Sequence, residues 1–347
     1  MTSSRGRVNR SGRSPRSPGA PTVPIVLGLL AGGLMVSCSG SSSSGFFADG
    51  GGSESHSGTG GGSGTGSSQV TILGASGDAG GSSNTADGDC PASAKLVYVT
   101  GEGSTLYSFY PPTFDFKLIG TLSCLGPNYT PTHMTVDRTG TAWVVAWNVN
   151  TYVSKLFTAS TADATCTEVT AFVPQPTGYF SDFALTFIGT TNAPDTTLYM
   201  LGATGGAGGE FKPNSKAVLG TFDTTTGAVT TIAMPDVANA GGDMTTNGDG
   251  TLYYLQDTAA LELFQILPSN GAIGKTYAPS PTGGGDQALA FWGGSFYLWE
   301  SGPAGKKDVT YQYDPSTGTT TTLGPAPIPV TGAGQSTCVP TVPPMTK

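Results

Sequence analysis

The sequence predicts an all-β fold: a single β-propeller of five four-stranded blades, closed by its carboxy-terminal strand and preceded by a disordered tether. Strands rich in β-branched and aromatic residues recur five times at a spacing of about 45 to 55 residues, the period expected of propeller blades. Clusters of Gly, Asn, Asp and Pro separate these strands, and no long helical period appears. A surplus strand at the end of the repeats can complete the first blade.

The clearest copy of the repeat covers residues 243–277 and contains four short strand-like runs joined by turns. Four such strands form one antiparallel sheet that cannot bury both of its faces alone, so it needs neighbours of the same kind. The second strand of this unit recurs along the chain at Leu96–Val99, Ala142–Val145, Leu198–Leu201, Leu252–Leu255 and Phe296–Trp299.

The turn motifs within the repeats are interpreted as hairpin devices. The run Asp314–Gly318 combines an Asp that caps the turn, a Pro that presets φ and a Gly that takes positive φ. The run Asn247–Gly250 lacks the further spaced oxygens and the downstream Glu of a calcium-binding loop. A hairpin turn therefore explains it better than a cation site.

The last repeat-like segment predicts how the ring closes. Residues Val330–Cys338 stand where a sixth unit would begin. Placing them as the innermost strand of the first blade joins the ends of the ring and brings Cys90 and Cys338 to one end of the same sheet. We therefore predict a Cys90–Cys338 disulfide, and Cys124–Cys166 follows by elimination. An even set of four cysteines suits an oxidising compartment.

The amino-terminal segment has the features of a secretory signal. Five of the six arginines precede Val23–Val36, a mostly apolar run that is shorter than the about 20 residues a membrane-spanning helix needs. The following Met35-Val36-Ser37-Cys38 resembles the lipobox of bacterial lipoproteins, although that pattern prefers Leu at the position of Met35. The resemblance implies acylation of Cys38. The alternative is an ordinary signal peptide cleaved nearby, which leaves Cys38 as an odd thiol.

These features predict the organisation of the whole chain. The predicted parts are a lipoprotein signal peptide (1–37), a lipidated Cys38 with a Ser/Gly-rich flexible tether (38–89), the β-propeller (90–340) and a tail (341–347). Ser39 in the position after Cys38, instead of Asp, resembles the outer-membrane type of lipoprotein. We therefore expect an exported protein that is lipid-anchored at the outer membrane or cell surface.

Charge and the lack of known motifs argue against several functions. Without residues 1–37 the chain keeps ten basic and 23 acidic residues, a net charge of −13, and so has no basic face for nucleic acid. The sequence contains no Gly-x-Ser-x-Gly elbow, P-loop or cysteine pair at metal spacing. His56 and His133 are too few for a His-based metal site. We expect no nucleic acid partner, no metal site and no cofactor.

Several segments together resemble one group of proteins. The lipobox, the Ser/Gly tether, the Leu-Tyr repeats, Phe291–Gly294 and Gly332–Pro340 are similar to the uncharacterised propeller-type lipoproteins of myxobacteria. The resemblance covers essentially the whole mature chain and implies a secreted propeller on a lipid anchor. It implies no catalytic residues. It also favours an apolar residue at position 335, where this chain has Gln335.

Polar residues mark the predicted central channel. The innermost strands of a propeller line a central channel, and one polar residue per blade is predicted near the start of each: His133, Asp182, Asp243, Asp286 and Gln335. Three carboxylates and an imidazole around one axis could bind a cation or a sugar. The structural alternative is that each is a polar residue at an exposed strand end, repeated because the blade is repeated.

Two functions remain open from the sequence. The first is a lipid-anchored binding or surface-interaction module whose partner is an unknown protein or glycan. The second is a carbohydrate-active enzyme, similar to five-bladed glycosidases, that uses Asp182, Asp243 and Asp286 for acid/base chemistry across a glycosidic bond. The enzyme needs one carboxyl group with a raised pKa, and its carboxylates must converge within roughly 5 to 10 Å in an open pocket.

Overall fold

A computed structural model shows a β-propeller of five antiparallel sheets. It describes residues 90–151, 153–173, 179–189, 195, 197–204, 216–237, 242–256, 261–280, 287–300 and 307–344. All of these belong to one compact unit, Asp78–Lys347. The predicted signal peptide, Cys38 and the tether lie outside the described residues. No helix within these ranges is long and apolar enough to span a bilayer.

The first three blades follow one another along the chain. Blade 1 takes its first three strands from β1 (Val97–Gly101), β2 (Thr105–Tyr110) and β3 (Asp115–Thr121). Blade 2 consists of β4 (Tyr129–Val136), β5 (Thr141–Asn148), β6 (Ser154–Ser160) and β7 (Cys166–Glu168). Blade 3 consists of β8 (Tyr179–Phe187), β9 (Thr197–Thr204), β10 (Ala217–Asp223) and β11 (Val229–Ala233).

The last strand of the chain returns to the first blade. Blade 4 consists of β12 (Gly242–Thr246), β13 (Leu252–Gln256), β14 (Glu262–Ile266) and β15 (Ile273–Tyr277). Blade 5 consists of β16 (Gln287–Trp292), β17 (Ser295–Glu300), β18 (Val309–Asp314) and β19 (Thr319–Pro325). The strand β20 (Val330–Gln335) then pairs with β1 and completes blade 1. Short 3-10 turns cover Ala92–Lys95, Glu102–Ser104 and Pro111–Thr113.

The predicted ring closure is confirmed. Strand β20 runs antiparallel to β1, with Gln335 opposite Val97 and Ala333 opposite Val99. The Cys90–Cys338 disulfide joins the two chain segments beside this pairing, and the Cys124–Cys166 disulfide is also present. The five recurring second strands are β1, β5, β9, β13 and β17. The repeat period therefore predicted the number of blades and the position of the closing strand.

The core lies between neighbouring blades, because a single sheet cannot bury its own faces. Phe109 of blade 1 packs edge-on against Trp299 of blade 5, with ring centroids 5.7 Å apart. Trp143 of blade 2 packs in the same manner on Phe187 of blade 3 at 5.8 Å. Aromatic residues on the strands thus serve packing between blades.

The hairpin interpretation of the turn motifs is also confirmed. Asp314 accepts hydrogen bonds at Oδ1 from the backbone N–H and the hydroxyl of Ser316, at 2.8 and 2.6 Å. Gly318 has φ 71°, a left-handed conformation that residues with a side chain rarely adopt. Asp223 caps the equivalent turn of blade 3 through the N–H groups of Thr225 and Thr226. These carboxylates are occupied by the turns that they stabilise.

The inner strands define two ends of the propeller. Thr331 on β20 donates to the carbonyl of Pro131 on β4, and Thr135 on β4 donates to the carbonyl of Gln335. These contacts show that β20 and β4 run in the same direction. We call the end where the inner strands β4, β8, β12, β16 and β20 begin the entry face, and the opposite end the exit face.

Candidate functional site

The inner strands β20 and β4 approach each other closely. A Cβ atom on Gly334 would lie 2.2 Å from the carbonyl oxygen of Met134, and one on Gly332 would lie 2.9 Å from the Cα of His133. Neither position has room for a side chain. The glycines of β20 therefore allow the backbones of β20 and β4 to approach each other closely.

Polar side chains inside the channel bind the backbone edge of β16. The Asp243 carboxylate accepts the N–H of Leu289 at Oδ2, at 2.8 Å, and the N–H of Met244 at Oδ1, at 2.9 Å. The Gln335 side-chain carbonyl accepts the N–H of Phe291 at 3.1 Å. Inner strands have a backbone edge that no further strand covers, and buried N–H groups need partners. These side chains supply the partners.

The prediction that Gln335 lies near the start of an inner strand was wrong. Gln335 is the last residue of β20, at the exit face, because β20 begins five residues earlier at Val330. Its side-chain NH2 donates to the Thr245 hydroxyl at 2.6 Å and to the Thr246 carbonyl at 2.9 Å. With 1% of its surface exposed, Gln335 ties blade 1 to blades 4 and 5 inside the ring. An apolar residue could not make these bonds.

The central feature of the channel is an imidazole between two carboxylates. The Nδ1 of His133 lies 3.2 Å from Oδ1 of Asp243, and its Nε2 lies 3.7 Å from Oδ1 of Asp182. The side chains of His133, Asp243 and Asp182 are 10%, 0% and 34% exposed, respectively. The three residues belong to blades 2, 4 and 3. The structure therefore brings together three of the predicted residues, and Asp182 faces the solvent.

Local irregularities in two strands aim these side chains at the axis. The pairing of β4 with β5 shifts register between Pro131 and His133, so that Thr132 is the extra residue of a bulge. The Thr132 hydroxyl lies 3.4 Å from Oδ1 of Asp182. The pairing of β8 with β9 shifts register between Tyr179 and Phe183, which places Asp182 in a second irregular segment. Such bulges redirect side chains near functional sites.

The three ionisable groups shift one another's pKa values. Burial acts to lower the pKa of His133, but hydrogen bonds and charge from Asp182 and Asp243 outweigh it and raise the pKa to about 10. Burial raises the pKa of Asp243, against the opposing effect of His133. Burial also acts to raise the pKa of Asp182, but the neighbouring imidazolium brings it below the usual value. We therefore treat His133 as a cation held between the carboxylates.

This arrangement separates a structural carboxylate from an accessible one. Asp243 is fully buried, and both of its oxygens accept hydrogen bonds from protein groups. The Asp182 side chain is partly exposed. Asp286, the remaining predicted carboxylate, lies outside the described residues and directly precedes β16. Among the described residues, no group of three His, Cys, Asp or Glu side chains is placed to hold a metal ion.

The entry face also carries buried polar residues that sequence reasoning did not assign to the site. Gln256 ends β13, Gln287 begins β16 and Glu300 ends β17, and all three are buried. In the part of the chain described here, Oε1 of Gln256 has no hydrogen-bond partner. The sequence feature that could have identified these residues is a polar residue at the end of an otherwise apolar strand. Polar side chains are rarely buried unless they make hydrogen bonds or contribute to function.

Comparison with known proteins says nothing about the activity of this chain. No family model matches the sequence. No curated protein matches it either. A mutant of the GH43 protein BlXynB from Bacillus licheniformis aligns at 14% identity and TM-score 0.40, over 57% of this chain and 42% of its own. This chain thus spans less than half of that protein.

Two further solved structures cover more of their own length. A functionally unknown protein from Desulfotomaculum acetoxidans has 16% identity and TM-score 0.39, over 70% of this chain and 72% of its own. Regucalcin, a calcium-binding protein from Agrobacterium tumefaciens, has 14% identity and TM-score 0.38, over 69% of this chain and 77% of its own. At such low similarity, no statement about ligand or reaction follows from them.

Proposed function

We propose that the protein is a lipid-anchored cell-envelope β-propeller that acts as a non-enzymatic binding or surface-interaction module. Its ligand site is the entry end of the channel, around Asp182, and its partner is a protein or a glycan. The observation that supports this function is the His133 side chain held between a buried Asp243 and a solvent-exposed Asp182.

The same geometry argues against hydrolysis by the predicted carboxylates. A glycosidase needs two carboxyl groups on either side of the scissile bond, one of them a general acid with a raised pKa. Asp243 has a raised pKa, yet it is fully buried and its oxygens are bonded to Leu289 and Met244. Asp182 is accessible, yet its pKa is lowered, so it stays ionised and cannot deliver a proton.

The alternative proposal is a carbohydrate-active propeller enzyme that uses Asp182 with Asp286. One observation favours it: in the sequence, Asp286 directly precedes inner strand β16. An assay on an oligosaccharide panel with folded, lipid-free protein tests this alternative. Hydrolysis that disappears in Asp182→Asn would support the enzyme and exclude the binding module.

A ligand screen tests the binding function directly. The chain from residue 38 with Cys38→Ser is screened against glycans, amines and divalent cations by thermal shift. A ligand at 100 times its Kd stabilises the folded state by about 2.7 kcal/mol, so a specific ligand raises Tm. We expect the shift to disappear in Asp182→Asn and to persist in Asp115→Asn, an exposed carboxylate on the outermost strand of blade 1. A Tm shift that persists in both variants would show that the ligand does not bind at the channel entry.

The proposed anchor is tested separately. The lipobox-like Met35–Cys38 and the short apolar run Val23–Val36 support acylation of Cys38 and export. In a bacterial host fed labelled palmitate, we expect label on the wild-type chain and none on Cys38→Ser. We also expect only the acylated form to float with vesicles. A wild-type chain without label would contradict the proposed lipid anchor, and it would not affect the proposed ligand site.

A further inference from the structure

The contact between His133 and Asp182 places a hydrogen-bond donor beside an acceptor. Nδ1 of His133 lies 3.2 Å from Oδ1 of Asp243, and Nε2 lies 3.7 Å from Oδ1 of Asp182. Because each ring nitrogen faces a carboxylate oxygen, each carries a proton and the imidazole is a cation. Asp243 is fully buried, whereas the Asp182 side chain is partly exposed. Within this group of three residues, a ligand therefore meets the Nε2 side of the imidazole together with Asp182.

The distance between these two atoms suits an oxygen that binds both. An N–H···O bond is usually about 2.7 to 3.2 Å long, and a polar contact beyond about 3.5 Å is often bridged by a third group. A hydroxyl oxygen about 2.8 Å from each atom fits the 3.7 Å separation of Nε2 and Oδ1. It accepts a hydrogen bond from Nε2–H and donates one to Oδ1. The hydroxyl of Thr132, 3.4 Å from the same Oδ1, already faces this carboxylate.

The opposite charges of the pair select for a neutral ligand. An amine or a divalent cation that approaches Asp182 also meets the His133 imidazolium, and a carboxylate or phosphate that approaches His133 also meets Asp182. Like charges at such short distances repel each other strongly in a partly buried site. A neutral hydroxyl avoids both penalties, since it accepts from one partner and donates to the other. Neutral sugars present many such hydroxyls.

A partly exposed tryptophan lies at the boundary between blades 2 and 3, where Asp182 contacts Thr132. Side chains alternate along β5, and Trp143 and Val145 pack against residues of blade 3. Trp147, two residues further along β5, is therefore on the same side of the sheet and is partly exposed. The carbonyl of Val145 lies 3.5 Å from the Thr132 hydroxyl. The tryptophan thus adds an aromatic surface to the polar pair, a combination typical of small-ligand sites.

A buried hydroxyl beside this tryptophan is an independent indication of a polar ligand. Ser154 lies directly opposite Trp147 in the pairing of β5 with β6, so both side chains leave the same face of the sheet. Ser154 is fully buried, and within the described residues its Oγ has no hydrogen-bond partner. Buried polar atoms nearly always have partners, and the exceptions often mark functional positions. A bound sugar would supply the partner that Ser154 lacks.

We propose that the site around Asp182 binds a neutral oligosaccharide. One sugar hydroxyl bridges Nε2 of His133 and Oδ1 of Asp182, the apolar face of a sugar ring lies on Trp147, and a further sugar oxygen bonds to Ser154. The inference rests on the proposed binding function and specifies its ligand class.

Sugars of equal length and different charge test the ligand class. The chain from residue 38 with Cys38→Ser contains the whole compact unit Asp78–Lys347. It is titrated with cellotetraose, xylotetraose, maltotetraose and mannotetraose, and with the tetramers of glucosamine and galacturonic acid as charged counterparts. Calorimetry and tryptophan fluorescence report binding. We expect a neutral tetramer to bind and both charged tetramers to bind about tenfold more weakly or less, because each places a like charge beside His133 or Asp182.

Tryptophan variants locate the sugar. Trp147→Phe keeps an aromatic ring, so the affinity should stay within about threefold of wild type while the fluorescence change disappears. Trp147→Ala should lower the affinity by roughly tenfold. Trp143→Phe is the matched control, because Trp143 faces blade 3 as well but packs on Phe187. It should keep both the affinity and the fluorescence change.

Polar variants test the hydrogen bonds and separate this inference from the proposed function. Asp182→Asn should weaken binding by about tenfold, and Asp115→Asn should leave it unchanged. Ser154→Ala removes no hydrogen bond found within the described residues, so it should fold as wild type does and bind the sugar several-fold more weakly. Wild-type affinity in both Trp147→Ala and Ser154→Ala would overturn the sugar site. If a charged tetramer or a peptide binds instead and depends on Asp182, the ligand class is wrong and the binding function stands. If no ligand of any class depends on Asp182, both proposals fail.

Discussion

Asp243 and Leu289 lie in neighbouring blades, and the Asp243 carboxylate accepts the Leu289 backbone N–H at 2.8 Å while its other oxygen lies 3.2 Å from the His133 imidazole. One side chain therefore connects blades 2, 4 and 5 across the channel. Because both partners are buried, this contact is insulated from solvent and salt. It contributes to the integrity of the ring more directly than any surface ion pair.

The first prediction concerns this carboxylate. Asp243→Ala leaves the Leu289 N–H without its partner and the His133 cation with only the more distant Asp182. Removing one member of a buried ion pair costs about 3 to 5 kcal/mol. Urea unfolding followed by tryptophan fluorescence should show that loss in the free energy of unfolding. Asp236→Asn is the matched control and should stay within about 0.5 kcal/mol of wild type. A loss below about 1 kcal/mol in Asp243→Ala would show that the channel network contributes little to stability.

The second prediction concerns pH. The pKa of His133 is about 10 in the folded state and about 6.5 when the chain is unfolded, so the folded state binds the extra proton between these values. The stability that the imidazolium contributes is fully present below pH 6.5 and is lost as the pH rises toward 10. The lowered pKa of Asp182 keeps that carboxylate ionised throughout this window.

His133→Gln provides the control for that prediction. The glutamine keeps a hydrogen-bonding group and removes the titration, so the free energy of unfolding should become nearly constant between pH 7 and pH 9.5. The measurement is a set of urea titrations at half-unit steps of pH on both proteins. A wild-type curve that is as flat as that of His133→Gln would mean that the imidazole is neutral in the folded state.

The fold was predictable because its information is local and periodic. A strand such as Leu252–Leu255 needs only its own residues and the adjacent turns to be recognised, and the spacing between copies then sets the blade count. The closure by Val330–Gln335 followed from counting strands, and the Cys90–Cys338 pair followed from the closure. Each step used neighbours in sequence or a simple ring topology.

The site was predictable only in part, since its geometry depends on contacts across the axis. His133 and Asp243 are 110 residues apart, and Gln335 and Phe291 are 44 apart. Which carboxylate is buried depends on bulges such as that at Thr132, and no sequence pattern marked them. The position of Gln335 was mistaken for the same reason: without the register of β20 against β1, either end of the strand could face the channel opening.

The third prediction concerns Gln335. Gln335→Leu places an apolar residue at this position and leaves the Phe291 N–H and the Thr245 hydroxyl without the partner they have now. An unsatisfied buried polar group costs about 1 to 3 kcal/mol, and we expect a loss in that range. Hydrogen exchange should show faster exchange at the Phe291 amide specifically. Unchanged stability and unchanged exchange in Gln335→Leu would show that water replaces the amide without cost.

The last prediction concerns the covalent closure of the ring. The Cys90–Cys338 disulfide spans 248 residues and the Cys124–Cys166 disulfide spans 42, and chain-entropy estimates give about 5.5 and about 4 kcal/mol for loops of these sizes. Replacing each pair by serine should therefore destabilise the protein in both cases, and more for the closing pair. The two double variants are compared by urea unfolding, with wild type as reference.

Proteolysis distinguishes closure from general stability. Cys90 and Cys338 hold β1 and β20 together at the exit face, so their loss should allow blade 1 to open while the other blades stay folded. Brief trypsin digestion of Cys90→Ser/Cys338→Ser should therefore cut first at Lys95 or Lys117, on either side of β1 and β2. Cys124→Ser/Cys166→Ser keeps the Cys90–Cys338 disulfide and should not show that early cleavage. If both double variants give the same first fragments, the Cys90–Cys338 disulfide stabilises the protein without specifically holding β1 and β20 together.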